Sequence, residues 1–288
     1  MGMKQRASGV LEAVLRASTR ATRRLHATLD PGFDPLAPAA SPVSVTLEDV
    51  TATYGGVPAL EGVSGRFEPG SLTALVGPNG AGKTTLLNIL AGVAQPRSGA
   101  RQVEGAAPAA IGYLAQTEAI DRLYPISVLE FVALGRWHSF GAFRSPPYAL
   151  LTEVLGALDA VGMQDAATTP IGALSIGQFR RVLFARLIVQ RARLILLDEP
   201  FAALDTVTTN DLLGVLAAWQ REGRTIVTAL HDLDQVRGHF PATLLLARRV
   251  IAWGETGAVL TAENLARAGM MGPARFEARP GLLRVVPS

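Results

Sequence analysis

The sequence predicts an α/β fold built around a mostly parallel sheet, and three observations predict it. Short apolar, β-prone runs recur at residues 72–76, 111–116, 194–198 and 225–230, separated by stretches with helical spacing. The first run leads straight into a glycine-rich loop, GPNGAGKTT at residues 77–85, whose last residues open a helix-like TTLLNILA. Two later runs end in residues that can do chemistry, Asp198-Glu199 and His231. In parallel sheets that strand edge is where ligands bind.

Length and composition bound the rest. A chain of 288 residues holds one large α/β domain, or one domain with an appendage. Apolar residues make up 49% of it, enough for a core, and no apolar run approaches the ~18 residues needed to span a bilayer. There is no cysteine, so disulfides and thiolate metal sites are excluded. The net charge of +3 belongs to the first 43 residues, where six basic residues face three acidic ones. The other 245 residues balance at 21 of each, so the high pI gives no argument for a nucleic-acid partner.

The N-terminal 42 residues divide in two. Residues 9–29 have helical spacing, with apolar Val10, Leu11, Val14 and Leu15 and an arginine cluster behind them; residues 30–42 form a Pro-rich linker. A membrane-surface helix, a transit peptide, a docking segment and an unstructured extension all fit this pattern. Residues 43–50 alternate apolar and polar and read as a strand, with a turn at Tyr54-Gly55-Gly56. Residues 62–70 read as strand plus turn, leading to the strand at 72–76.

The loop that follows matches G-x-x-x-x-G-K-[ST]: Gly77, Pro78, Asn79, Gly80, Ala81, Gly82, Lys83 and Thr84, with Thr85 behind. Glycines at Gly77, Gly80 and Gly82 are expected to take positive φ and turn N–H groups inward as an anion nest. Lys83 can reach β- and γ-phosphates, and the Thr84 hydroxyl can bind magnesium. The chain holds only two lysines, Lys4 and Lys83, among many arginines. A compact ammonium kept at this one position suits a phosphate cradle. The loop binds a nucleoside triphosphate at a helix N-terminus.

Further along, residues 111–116 form a short strand ending at Gln116. Ser127 and Glu130 make a capping box for a helix with Phe131, Val132 and Leu134 on one face. Residues 136–147 read as a loop whose Trp137, Phe140 and Phe143 suit either an interface or buried packing. Residues 150–161 form an amphipathic helix. Ser175 can cap the helix after LSIGQ, where Ser and Gly make a second anion-binding corner. The buried strand at 194–198 has no packing reason to end in Asp-Glu; Asp198 would hold magnesium through water, and Glu199 would orient or deprotonate an attacking water. His231 ends the strand at 225–230, strands follow at 243–247 and 250–253, and Thr261 opens a last helix.

Together these residues resemble the ATP-binding subunit of an ATP-binding-cassette (ABC) transporter. The matching elements are the loop at 77–85, Gln116, LSIGQ at 174–178, LILLDEP at 194–200, ALD at 203–205 and His231, in the family's order over residues 43–260. The resemblance implies a P-loop NTPase fold of the ABC type: a central, mostly parallel sheet, an antiparallel β subdomain, and a helical subdomain at about 120–190 carrying the signature motif. It implies an ATPase domain at 43–260 between the basic extension at 1–42 and a C-terminal helix and tail at 261–288. Two copies would pair head to tail, with ATP and Mg2+ between the loop of one and Ser175, Gly177 and Gln178 of the other. Tyr54 would stack on adenine, Gln116 would contact the magnesium, Asp205 would link the two sites, and His231 would hold Glu199 and the water at the γ-phosphate. A membrane permease and an extracytoplasmic solute-binding protein would complete the system, with this subunit peripheral at the cytoplasmic face.

The signature departs from the usual LSGGQ at Ile176; if that position needs positive φ, a β-branched residue there is strained and closure is weakened. Residues 124–136 and 230–254 look like the importer branch handling zinc, manganese or chelated iron. The alternatives are another substrate, an exporter, or a non-transport ABC ATPase acting on DNA or ribosomes. A GTPase motif of the Asn-Lys-x-Asp type is excluded by the lysine count, and a small-molecule kinase leaves LSIGQ without a role.

Overall fold

The computed structural model describes residues 43–54, 56–105, 111–115, 121–139, 146–202 and 204–270. The N-terminal extension, the tail from residue 271, Gln116, Ala203, Phe140 and Phe143 lie outside these.

The chain is organised by β3 (Leu72–Val76), whose five residues are all buried. It lies between β7 (Thr225–Leu230) and β8 (Ala242–Ala247), parallel to both. Outward from β7 come β6 (Leu194–Asp198) and β5 (Ile111–Leu114), also parallel, giving the order β5-β6-β7-β3-β8-β9. Only β9 (Arg249–Glu255) runs antiparallel, against β8. A strand covered on both faces needs apolar side chains in both directions, which explains the unbroken runs LTALV, LILL and TIVTAL. A second sheet is antiparallel: β1 (Ser44–Tyr54) lies between β2 (Val57–Phe67) and β4 (Ser98–Glu104).

Side-chain alternation along the central strands separates two cores. Leu194, Leu196, Val227, Ala229, Leu244 and Leu246 face the antiparallel sheet, with helix α1 (Lys83–Ala91) packed between through Leu86, Leu87, Ile89 and Leu90. Ile195, Leu197, Ile226, Leu230 and Leu245 face the opposite way. That side is covered by α2 (Val128–Ala133), α3 (Tyr148–Ala160), α4 (Ile176–Gln190) and α5 (Thr206–Arg221). At its centre Phe184 stacks on Trp219 at 5.9 Å and on Phe201 at 6.5 Å. Short helices α6 (Leu233–His239), α7 (Thr256–Val259) and α8 (Ala262–Arg267) complete the described chain.

The caps at Ser127 and Thr261 form as their sequences predict, the first as a full capping box. Strand β4 and helices α5, α6 and α7 have no counterpart in the sequence reading, the first for want of a signal and the second in spite of one. Strand β4 is an edge strand with no fully buried residue, so it carries no apolar alternation to detect. Helix α5 was legible: Leu212, Leu213, Leu216 and Trp219 share a buried stripe behind an Asp cap. Trp137, in a 3-10 segment at Leu134–Ser139, is 44% exposed.

The two sheets meet where Trp253 of β9 lies against Phe67 of β2, ring centroids 4.6 Å apart. Gly65 makes room for that ring: at φ 151° it sits where a Cβ would come 2.5 Å from Trp253 Cε3. Gly65→Ala is therefore expected to destabilise the protein by about 1–3 kcal/mol in chemical denaturation. Trp219→Ala should cost more, about 3–5 kcal/mol, because it empties the middle of the helical core. A midpoint unchanged from wild type in either variant would contradict the packing described.

Candidate active site

Strand register gathers the chemistry at one edge. Val76 pairs with Leu230 and Asp198 with Ala229, so the loop after β3, the Asp198-Glu199 pair and His231 all emerge together. The loop's glycines serve different purposes. Gly80 and Gly82 are left-handed, with φ 77° and 95°. Gly77 is not, which corrects the expectation of positive φ there; a Cβ on it would overlap the Leu246 carbonyl oxygen. A Cβ on Gly82 would overlap the Ala59 carbonyl oxygen. Gly82 also caps α1 without a side-chain bond, leaving first-turn N–H groups for an anion.

Lys83 is buried, and its Nζ donates to Gly77 O at 2.8 Å and Pro78 O at 3.2 Å. Burial lowers its pKa, while the Glu199 and Asp198 carboxylates oppose that shift. Asp198 is 1% exposed, and its pKa is raised, chiefly by burial, against a hydrogen bond from Thr84. Its Oδ2 has no hydrogen-bond partner among the described residues. A buried carboxylate oxygen left open beside a threonine hydroxyl is a hard-oxygen pair that fits Mg2+, with phosphates and water as the remaining ligands. Glu199 stands at φ 48°, held by its N–H donating to Ala229 O at 3.2 Å. Left-handed backbone at a non-glycine residue costs energy and tends to mark a functional position.

A cavity of about 420 Å³ runs along the loop from Asn79 to Thr85, walled by Val57, Pro58 and Ala59 and reaching Glu199 and Arg248. A neighbouring cavity of about 380 Å³ shares Glu199 and is lined by Phe201, Leu204, His231 and Gln235. Glu199 thus joins the loop to His231. Tyr54 closes β1, paired in register with Val57 of β2.

The signature residues line neither cavity. Ser175 caps α4: its Oγ accepts from Gln178 N at 3.2 Å, and Gln178 Oε1 accepts from Ser175 N at 2.9 Å. The Gln178 side chain therefore serves the cap. Ile176 is the first helical residue and is not left-handed, so the premise of backbone strain there is wrong. Its side chain instead projects outward, 56% exposed. Asp205 is the exposed N-cap of α5, accepting from Thr208 N at 2.8 Å and Thr208 Oγ1 at 2.7 Å. These bonds hold its carboxyl below its ordinary pKa.

Sequence reasoning missed three arginines here. Arg122 donates to the Leu174 carbonyl and lies over the Phe179 ring at 4.9 Å, gripping α4 on both sides of Ser175. Arg180 is buried with Nε and Nη1 unpartnered; burial lowers its pKa, opposed by the Glu199 and Asp198 charges. One turn on, Phe184 packs on Phe201, so this helix face points at the end of β6. Arg248 comes from the β8–β9 hairpin. None belongs to a motif, so no local pattern could have found them.

Known proteins match this arrangement. The ABC transporter family matches residues 60–202. The chain is 37% identical over 225 residues to the manganese transport system ATP-binding protein MntB of Bacillus subtilis, covering 77% of this chain and 90% of that one. It is 34% identical to the zinc transport system ATP-binding protein TroB of Treponema pallidum, covering 80% and 88%. Among solved structures, the dimeric ATP-binding cassette MJ0796 in a post-hydrolysis state with ADP and Pi superposes with TM-score 0.66 at 25% identity, over 74% of this chain and 98% of that one. With a phosphate loop, a carboxylate-ended strand and a capped signature helix on one scaffold, the chain belongs to the ABC transporter family as an ATP-binding, ATP-hydrolysing subunit that works with a membrane permease.

Proposed function

We propose that this subunit powers the import of a divalent metal ion, manganese or zinc, through a separate permease fed by an extracytoplasmic solute-binding protein. The substrate class rests on the relatives' names, manganese for one and zinc for the other. The working position would be peripheral, at the cytoplasmic face of the membrane; among the described residues no helix is long and apolar enough to cross a bilayer. The ATPase domain would span 43–260, its helical part lying within about 120–190.

The observation that carries the mechanism is that Ser175 and Gly177 lie outside the cavity formed by the phosphate loop. A site built on one face and a capped anion corner on another support a head-to-tail homodimer, in which each copy completes the other's shell. Loop N–H groups from Gly80 to Thr85 and the Lys83 ammonium would bind the β- and γ-phosphates, and Tyr54 the adenine. Thr84 and Asp198, with Gln116, would hold Mg2+, which supplies charge neutralisation on the phosphate oxygens. Glu199 would take or orient the proton of the attacking water, with His231 positioned across the shared cavity to bond the γ-phosphate. Ser175, Gly177 and Gln178 of the second copy would close the shell, and Asp205 would sit between the two sites. Preorganised donors aimed at developing phosphoryl charge stabilise the transition state more than the ground state.

Glu199→Gln should bind ATP normally yet turn over about 10²-fold more slowly or worse, accumulating as an ATP-bound dimer in gel filtration. Steady-state turnover like that of wild type would remove Glu199 from its role. Lys83→Ala should lose ATP binding altogether while keeping its thermal midpoint within a few degrees. For the substrate, the subunit co-purified with its permease is expected to drive ATP-dependent uptake of manganese or zinc into vesicles. ATPase stimulation without uptake of either metal would overturn the metal assignment and leave the transport assignment standing.

A further inference from the structure

We propose that Arg248 is a nucleotide-contacting residue, placing a second cation against the polyphosphate from the hairpin between β8 and β9. The proposal rests on the reading of the loop as the ATP site. Arg248 lines the same cavity as the loop, and among the described residues the only other cation there is Lys83. Its backbone is fixed to the loop itself: Arg248 N donates to Ala81 O at 2.9 Å, and Glu61 N donates to Arg248 O at 2.9 Å. Two residues earlier, Leu246 presses its carbonyl against Gly77. Hairpin and loop therefore hold a set position relative to each other, and the arginine's origin is as well defined as that of Lys83.

Two further observations concern the side chain. Arg249 is neutralised by Glu61, with bonds of 2.6 and 2.8 Å. Arg248 is exposed, and among the described residues it forms no ion pair with a carboxylate, the Glu61 carboxylate being taken by Arg249. Of two adjacent arginines, the one facing the cavity is the one left uncompensated. The second observation is conformational. Arg248 stands at φ 60°, where glycine or asparagine is the unstrained choice. A long guanidinium that binds phosphate oxygens through paired N–H donors gives the strain a purpose. Lys83 already has the Glu199 and Asp198 charges nearby, so a second cation adds attraction for an anionic ligand that the loop lysine only partly supplies.

The left-handed backbone makes the test clean, because Arg248→Gly and Arg248→Asn both fit the turn. Each is expected to keep or raise the thermal midpoint while weakening ATP and ADP binding about tenfold, the loss typical of one charge-assisted hydrogen bond. Binding should also lose part of its salt dependence. Arg248→Lys should recover most of the affinity. Inorganic pyrophosphate, used as a competitor, should weaken by the same factor as ATP. ATP affinity within twofold of wild type in both the Gly and Asn variants would reduce Arg248 to a turn residue. Weakened ATP with unchanged pyrophosphate would move its contact to the base or ribose and overturn the polyphosphate assignment. Failure of the wild type to bind ATP would overturn the loop reading and this inference together, an outcome distinct from the other two.

Discussion

The phosphate loop is held by backbone touching backbone on both sides. Gly77 rests against the Leu246 carbonyl of β8, and Gly82 rests against the Ala59 carbonyl of β2. One contact belongs to the parallel sheet and the other to the antiparallel sheet, so the loop is the point where the two layers are tied. Helix α1 extends from it and fills the space between the sheets with Leu86, Leu87, Ile89 and Leu90. Any side chain at either glycine would push the loop away from one layer, and α1 with it. The arrangement of inward N–H groups is thus a consequence of how the layers pack, and the anion nest inherits the rigidity of the core.

Charge is concentrated where that packing excludes water. Lys83, Asp198 and Arg180 are each buried at the same sheet edge, and burial moves each pKa toward the neutral form; for Asp198 the Thr84 hydrogen bond and the Lys83 and Arg180 charges oppose that shift while the Glu199 charge adds to it. For the two cations the opposite charges of Glu199 and Asp198 are the opposing influence. Donors and acceptors are left over on both signs: Asp198 Oδ2, Arg180 Nε and Arg180 Nη1 have no partner among the described residues. Unsatisfied buried groups destabilise a fold, and natural structures keep few of them. Their clustering at one strand end is the pattern expected of a site built to receive a charged ligand.

The signature helix is positioned by different means from the loop. Its first turn is satisfied internally by the Ser175–Gln178 capping box, and Arg122 fixes its approach through the Leu174 carbonyl and the Phe179 ring. Loop and signature helix are therefore two separately preformed parts of one chain: the loop lines a cavity, and Ser175 and Gly177 lie outside it. Ile176 fits this reading without strain, since the helical turn it begins needs no left-handed residue. Its side chain is exposed beside the Ser175 cap.

Sequence alone determined the parallel sheet, the loop, the carboxylate-ended strand, His231 and the capped helices. Each is signalled by local chemistry: glycine spacing, unbroken apolar runs, a Ser or Thr three residues before a bonded N–H. Edge strand β4 escaped because half-exposed residues leave no period to read. Only the tertiary structure decided that Gly77 is a packing glycine and not a left-handed one, since the carbonyl it avoids lies far along the chain in β8. Only tertiary structure brought Arg122, Arg180 and Arg248 to the site. In each case the cause is the same: burial and proximity are set by contacts between elements distant in sequence, and an arginine carries no local mark of the carboxylate, carbonyl or cavity it will face.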